Sequence, residues 1–144
     1  MTIRKILLAV DGEPLSTDVA ATAAELAQAL GAEIGLVHVT ESALDLQGDT
    51  GIPKPELIAM AQQEGRKVIQ SFRRRLQETI PATEFLLSGP PAAEIVKTAT
   101  YWSADMIVIG THGRGGLERI LLGSVADAVI RNAPCPVLVV RTKA

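Results

Sequence analysis

Cysteine is almost missing from this chain, which has one. A lone thiol, Cys135 between Pro134 and Pro136, excludes an internal disulfide, a thiolate metal cage and a CxxC redox centre. It reads as a small, partly buried hydrophobe. Aromatic residues are also scarce, at two Phe, one Trp and one Tyr in 144 residues. That removes the ring platform on which single-stranded nucleic acid stacks. It leaves Ala, Val, Ile and Leu to fill the core, a palette suited to a packed α/β sheet. No charge surplus exists either: 14 Lys and Arg face 16 Asp and Glu, for a formal net charge of -2. A basic nucleic-acid footprint is therefore not expected. No apolar run approaches the roughly 18 residues of a membrane span. Arg4-Lys5 before Ile6 to Val10 imitates a signal peptide, but Asp11 ends the run and no small-residue cleavage site follows. The expectation is a cytoplasmic protein without membrane insertion, folded as one domain over residues 1–144.

What is present is an alternation of strand-like and helix-like segments. Ile3 to Val10 predicts the first strand, and Asp11-Gly12-Glu13-Pro14 breaks it. Ser16 is placed to cap a helix over Thr17 to Leu30, with Val19, Ala20, Ala23, Ala27 and Leu30 on one face and Gly31 as its stop. Glu33 to Val39 predicts strand two. The polar stretch Thr40 to Pro55 is the longest irregular segment. Glu56 to Glu78 predicts a long helix with an apolar stripe of Leu57, Ala61, Val68, Phe72 and Leu76. The basic run Arg73-Arg74-Arg75 fits the solvated C-terminal end of that helix better than a nucleic-acid patch. Thr83 to Leu87, Asp105 to Ile109 and Pro136 to Arg141 predict three more strands. Helices over Ala92 to Trp102 and Ser124 to Asn132 stand between them. Such βα alternation, with near-continuous apolar strands, implies an open parallel five-stranded sheet covered by helices on both faces. Right-handed crossovers make it Rossmann-like or flavodoxin-like, with strand order 3-2-1-4-5 expected. Ligands of such sheets bind beyond the C-terminal strand ends, at the switch point.

Two phosphate motifs are missing from the chain. Leu122, not Lys, precedes Gly123-Ser124, so there is no Walker A loop. Asp11-Gly12-Glu13-Pro14 after strand one is not the dinucleotide fingerprint GxGxxG. In their place stands Gly110-x2-Gly113-Arg114-Gly115-Gly116, running on to Gly123-Ser124 and a helix. Strand, glycine-rich loop and helix N-terminus in that order hold phosphate. Glycine lets backbone N–H groups come close to the anion, and the helix end adds free donors and a positive dipole. Ser124 would cap the helix while donating to a phosphate oxygen. Local cations are few, Arg114 and Arg119, so Mg²⁺ would supply the remaining charge.

The nine-residue gap between Gly113 and Gly123 resembles the ATP-binding branch of the universal stress protein family. So do the opening Ile6-Leu7-Leu8-Ala9-Val10-Asp11-Gly12, the strand-two end Leu36-Val37-His38-Val39, Asp105 to Gly113, and Pro134 to Val140. The resemblance implies ATP, or AMP or ADP, as ligand. It implies that Asp11 sits by the ribose or a phosphate-bound metal. Val39 would meet adenine through its backbone, with Ala9 and Val10 lining that end. Gly110 and Gly113 would approach ribose and phosphates. Gly123, Ser124 and Val125 would offer N–H groups to the phosphate tail. Arg114, from charge and loop position alone, would reach the terminal phosphate, while Gly115 and Gly116 serve the phosphate loop or form a plain turn. His112, His38 and Asp127 read as packing or helix-end residues.

An ATPase needs a residue that orients water at the γ-phosphate, and only Glu13 and Glu118 offer themselves. The expected activity is thus a nucleotide-dependent regulatory module with little hydrolysis, acting on a regulatory protein partner. The alternatives are a slow ATPase or phosphoryl-transfer enzyme, and a ligand-free dimeric interaction protein. Val137 to Val140 is apolar on both faces, and as an edge strand it would pair two copies into a homodimer.

Overall fold

A computed structural model of the chain describes residues 2–10, 17–40, 51–76, 78–111 and 123–141. Five strands, β1 (Lys5–Ala9), β2 (Glu33–Thr40), β3 (Ala82–Ser88), β4 (Met106–Thr111) and β5 (Val137–Arg141), alternate with four helices. These are α1 (Thr17–Leu30), α2 (Lys54–Arg75), α3 (Pro91–Trp102) and α4 (Ser124–Asn132). All strand pairs are parallel and the order is β3-β2-β1-β4-β5. The sheet is the Rossmann-like one the alternation implies.

β1 lies at the centre because its apolar run can be buried on both faces. Ile6, Leu7 and Leu8 have no exposed surface. Successive side chains of a strand point to opposite faces, so these three residues feed two layers. Ile6 and Leu8 pack with Val19, Ala20 and Ala23 of α1 and Ile69 and Phe72 of α2. Leu7 packs with Val37 and Ile107 of the sheet, Ile95 and Ala99 of α3, and Val129 of α4. α1 can lie close to the sheet because its inward residues are mostly alanines. It ends where Gly31 adopts φ 66° and the Ala32 N–H bonds the Ala27 carbonyl at 2.9 Å, a glycine-closed C-terminus. Leu30 departs from expectation. It is 47% exposed because it stands in the last turn, beside an open groove at the N-terminal ends of the strands. Arg4, Glu33 and Ile80 line the same groove.

α2 begins at Lys54 and stops at Arg75, short of the expected Glu78. Leu76 takes an extended backbone (φ -82°, ψ 144°) that turns its buried side chain into the α1/α2 layer. The helix sits deepest at Gly65, Ile69 and Phe72, of which only Phe72 belongs to the expected stripe, while Leu57, Ala61 and Val68 are half-buried. Arg73, Arg74 and Arg75 are exposed in its last turn. Arg73 is ion-paired with Glu84 of β3, and the Arg75 guanidinium lies 5.7 Å from the Phe72 ring centroid.

At the N-terminal end of the sheet, Asp105 ties β4 to β1. Its Oδ2 accepts the N–H groups of Arg4 and Lys5 at 2.9 and 3.0 Å. Its own N–H donates to the Lys5 carbonyl at 2.8 Å. This fixes the register that carries both strands to their other ends together.

Candidate functional site

β1 pairs with β2 on one side and β4 on the other, so the chain reverses its winding direction between β1 and β4. In an open α/β sheet a crevice forms there, beyond the C-terminal strand ends. The register is Leu8↔Val108. Two residues further on, Val10 and Gly110 come to the crevice together, and Gly110 is matched on its other side by Val140.

Three elements converge on one layer. Ala9 from β1, Val39 from β2 and Val125 from α4 all pack against the same buried cluster on the α3/α4 side. Val10 does not join them. Its side chain is only 6% exposed and lies in the opposite layer, because neighbouring strand residues alternate. Val10 therefore reaches the crevice with its peptide group and not its side chain. Its N–H closes the β1–β2 ladder on the Val37 carbonyl at 2.9 Å. Its carbonyl accepts from His38 Nδ1, also at 2.9 Å.

The start of α4 corrects one expectation. Gly123, and not Ser124, is the N-cap: it has φ -61° and ψ 155°, and its carbonyl accepts the Asp127 N–H at 2.9 Å. Ser124 is the first helical residue and is exposed. A glycine at the cap brings no side-chain acceptor of its own to the first-turn N–H groups of Ser124, Val125 and Ala126. A helix N-terminus of this kind is the end of a helix that favours anions. Asp127, in the first turn, bonds Arg131 Nε at 3.0 Å across one exposed turn, the helix-end role expected of it.

Asp11, His112, Gly113, Arg114, Gly115, Gly116 and Arg119 lie outside the described residues, as do Ser16, Glu13 and Glu118. The described part of the site is thus Ala9, Val10, Val39, Gly110, Gly123, Ser124 and Val125. Among the described residues no group of three or more His, Cys, Asp or Glu side chains could hold a metal ion. Cys135 is half-buried beside the α3/α4 layer. Burial, and after it the negative charge of Asp105, push its thiol above the ordinary range, which keeps it protonated and weakly nucleophilic.

Sequence reasoning overlooked two residues next to the crevice. His38 reads from its position as a packing residue, yet it holds the Val10 carbonyl. Gly65 reads as one helix residue among many, yet α2 crosses β2 and β3 there. A β-carbon on it would stand 2.5 Å from Leu86 Cδ1 and 3.1 Å from His38 Cδ2.

Comparison with known proteins agrees with this architecture. Residues 2–141 match the model of the Universal stress protein family. The chain belongs to the universal stress protein family. It is 39% identical over 143 residues to the universal stress protein MJ0531 of Methanocaldococcus jannaschii, covering 96% of this chain and 82% of that one. Among solved structures it is similar to MJ0577, with a TM-score of 0.84 at 27% identity and 99% of each chain covered. It is also similar to the universal stress protein from Archaeoglobus fulgidus in complex with dAMP. That match has a TM-score of 0.66 at 29% identity and covers 96% of this chain and 98% of that one. The dAMP belongs to the Archaeoglobus protein. No helix among the described residues of this universal stress protein is long and apolar enough to cross a membrane.

Proposed function

We propose that this universal stress protein binds an adenine nucleotide, ATP in the first place and AMP or ADP as alternatives, in the crevice between β1, β2, β4 and α4. Binding serves as a regulatory state, with little or slow hydrolysis, read by a protein partner in the cytoplasm. The observation that carries the reading is that Val39, Gly110 and the first turn of α4, capped by a glycine, stand at the C-terminal end of the sheet on either side of its switch point. A helix N-terminus takes the phosphate end, and a strand end offers peptide groups to the base. The related dAMP complex from Archaeoglobus fulgidus supports an adenine ligand for this fold. Asp11, Gly113, Arg114, Gly115 and Gly116 would complete the phosphate side. The described residues supply no carboxylate cage, so a Mg²⁺ ion accompanying ATP would be held chiefly by phosphate oxygens and water.

The partner surface for a second copy would be β5. It is one of the two edges of the sheet, and its half-buried Val137 and Val139 pack on one layer while Leu138 and Val140 pack on the other. The rung from the Ile107 N–H to the Pro136 carbonyl, at 3.0 Å, sets the parity of the strand. Residues 138 and 140 face β4, while Val137, Val139 and Arg141 turn their peptide groups outward. The opposite edge, β3, carries exposed Thr83, Glu84 and Ser88, the polar protection typical of an edge left unpaired.

Denaturing the purified protein and identifying what it releases tests the binding reading. An adenine nucleotide is expected, and added ATP at about 100 times its Kd should stabilise the protein by about 2.7 kcal/mol. No released nucleotide and no shift with ATP would contradict it. Rapid multiple-turnover hydrolysis would replace the regulatory reading with an enzymatic one.

A further inference from the structure

β2 directs Ile34 and Leu36 into the α1/α2 layer, where both are fully buried. The next residue on that face is His38. Its Nδ1 lies 2.9 Å from the Val10 carbonyl. A carbonyl only accepts, so Nδ1 carries the hydrogen and donates it. The ring fits there because α2 passes over it at a residue with no side chain. The β-carbon of any other residue at position 65 would stand 3.1 Å from His38 Cδ2 and 3.2 Å from Thr40 Cγ2.

The bond changes how β1 and β2 part. The Val10 N–H donates to the Val37 carbonyl at 2.9 Å. In a parallel ladder the next rung takes the Val39 N–H to the Val10 carbonyl. Here that carbonyl accepts the imidazole, and the ladder stops one rung early. The even residues of β2 serve β3: the Ile34 N–H bonds the Pro81 carbonyl at 2.9 Å, and the Thr40 carbonyl accepts the Gly89 N–H at 3.1 Å. The Val39 peptide groups therefore turn toward the crevice, a donor and an acceptor side by side. An adenine edge presents a donor and an acceptor in turn.

We infer that His38 is a positioning residue for the base end of the site. By holding the Val10 carbonyl, it keeps the Val39 N–H and C=O for the adenine edge. Gly65 is the clearance in α2 that allows this. The inference rests on the nucleotide reading above and adds to it the device that opens the strand end.

Two substitutions and two ligands test it. His38→Leu removes the donor, while the side-chain amide of His38→Asn can still donate from near the Nδ1 position. Each variant is titrated with ATP and with inorganic tripolyphosphate, which lacks a base. Expected is an ATP affinity about tenfold lower in His38→Leu, largely restored in His38→Asn, with tripolyphosphate affinity unchanged. Equal loss of both ligands would mean general damage and would overturn the inference, as would ATP binding unchanged in His38→Leu. Should that variant fail to fold, amide exchange in the wild-type protein decides. The Val39 N–H should exchange faster than that of Val37 without ligand and slow on adding ATP. A Val39 N–H already as protected as that of Val37 would overturn the inference. A wild-type protein that binds neither ligand would instead remove the nucleotide reading itself.

Discussion

Trp102 occupies the space that a side chain at Gly35 would need. A β-carbon on Gly35 would stand 3.0 Å from Cζ3 and 3.1 Å from Cη2 of the indole, with Leu7 Cδ1 at 3.2 Å. The ring has little room to retreat. It meets Phe85 edge to face at a centroid distance of 5.9 Å, and Lys5 Nζ lies 5.3 Å from its centroid while donating to the Trp102 carbonyl at 3.2 Å. Gly35→Ala should therefore destabilise the protein by about 1–3 kcal/mol, the usual cost of overpacking a tight core. Urea unfolding checks it, and an unchanged midpoint would mean the indole moves freely.

Ser103 closes α3 in the left-handed region, at φ 59° and ψ 47°, while the Ala104 N–H bonds the Ala99 carbonyl at 2.9 Å. The same closure at the end of α1 uses Gly31. Ser103→Gly should stabilise the protein by about 0.5–1 kcal/mol, since glycine adopts this conformation without its β-carbon strain. Thermal unfolding shows the sign, and a lower melting temperature would contradict the argument.

These two positions mark how far the sequence could be read. The strand and helix alternation, the sheet order and the span of α4 were legible because buried parallel strands leave compact apolar runs and helices leave a 3.6-residue period. The stop at Gly31 was legible because glycine and helix end are linked locally. Gly35, Gly65 and His38 were not, since their neighbours Trp102, Leu86 and Val10 are distant in sequence and no local pattern encodes the approach. At the site, Gly110 and Gly123 stood out by spacing. Of Ala9 and Val10, both expected at the base end, strand alternation sends only the Ala9 side chain to the layer of Val39 and Val125, and Val10 comes to that end with its peptide group. The cap was misplaced by one residue because Ser124 is the better capping residue in isolation, yet the Gly123 carbonyl takes the first helical bond.

Gly123 has φ -61° and ψ 155°, a conformation open to any residue, so glycine is not needed there for the shape of the backbone. Gly123 is the N-cap of α4, and branched apolar residues cap helices poorly, so Gly123→Val should cost the ligand-free protein about 1 kcal/mol while leaving it folded. Its branched side chain should weaken ATP binding by about tenfold or more while sparing adenosine. Unchanged ATP affinity by calorimetry would remove α4 from the phosphate site.

The outward N–H of Val139 gives a clean test of the β5 dimer. Val139→Pro deletes that donor but leaves residues 138 and 140 to bond β4, the placement in which proline is tolerated on an edge strand. Sedimentation should show a dimer for the wild type and a shift toward monomer for the variant. A wild-type monomer at micromolar concentration, or a variant dimer of equal strength, would place the interface elsewhere.

An adenine nucleotide is expected across the C-terminal ends of β1, β2 and β4, with its phosphates at the start of α4. Amide chemical shifts followed through an ATP titration test it most directly. The largest changes should fall on Val39, Gly110, Gly123, Ser124, Val125 and Ala126. The groove at the other end of the sheet, about 720 Å³ and lined by Arg4, Gly31, Glu33 and Ile80, should stay unperturbed. Changes centred on that groove, or none at saturating ATP, would contradict the account.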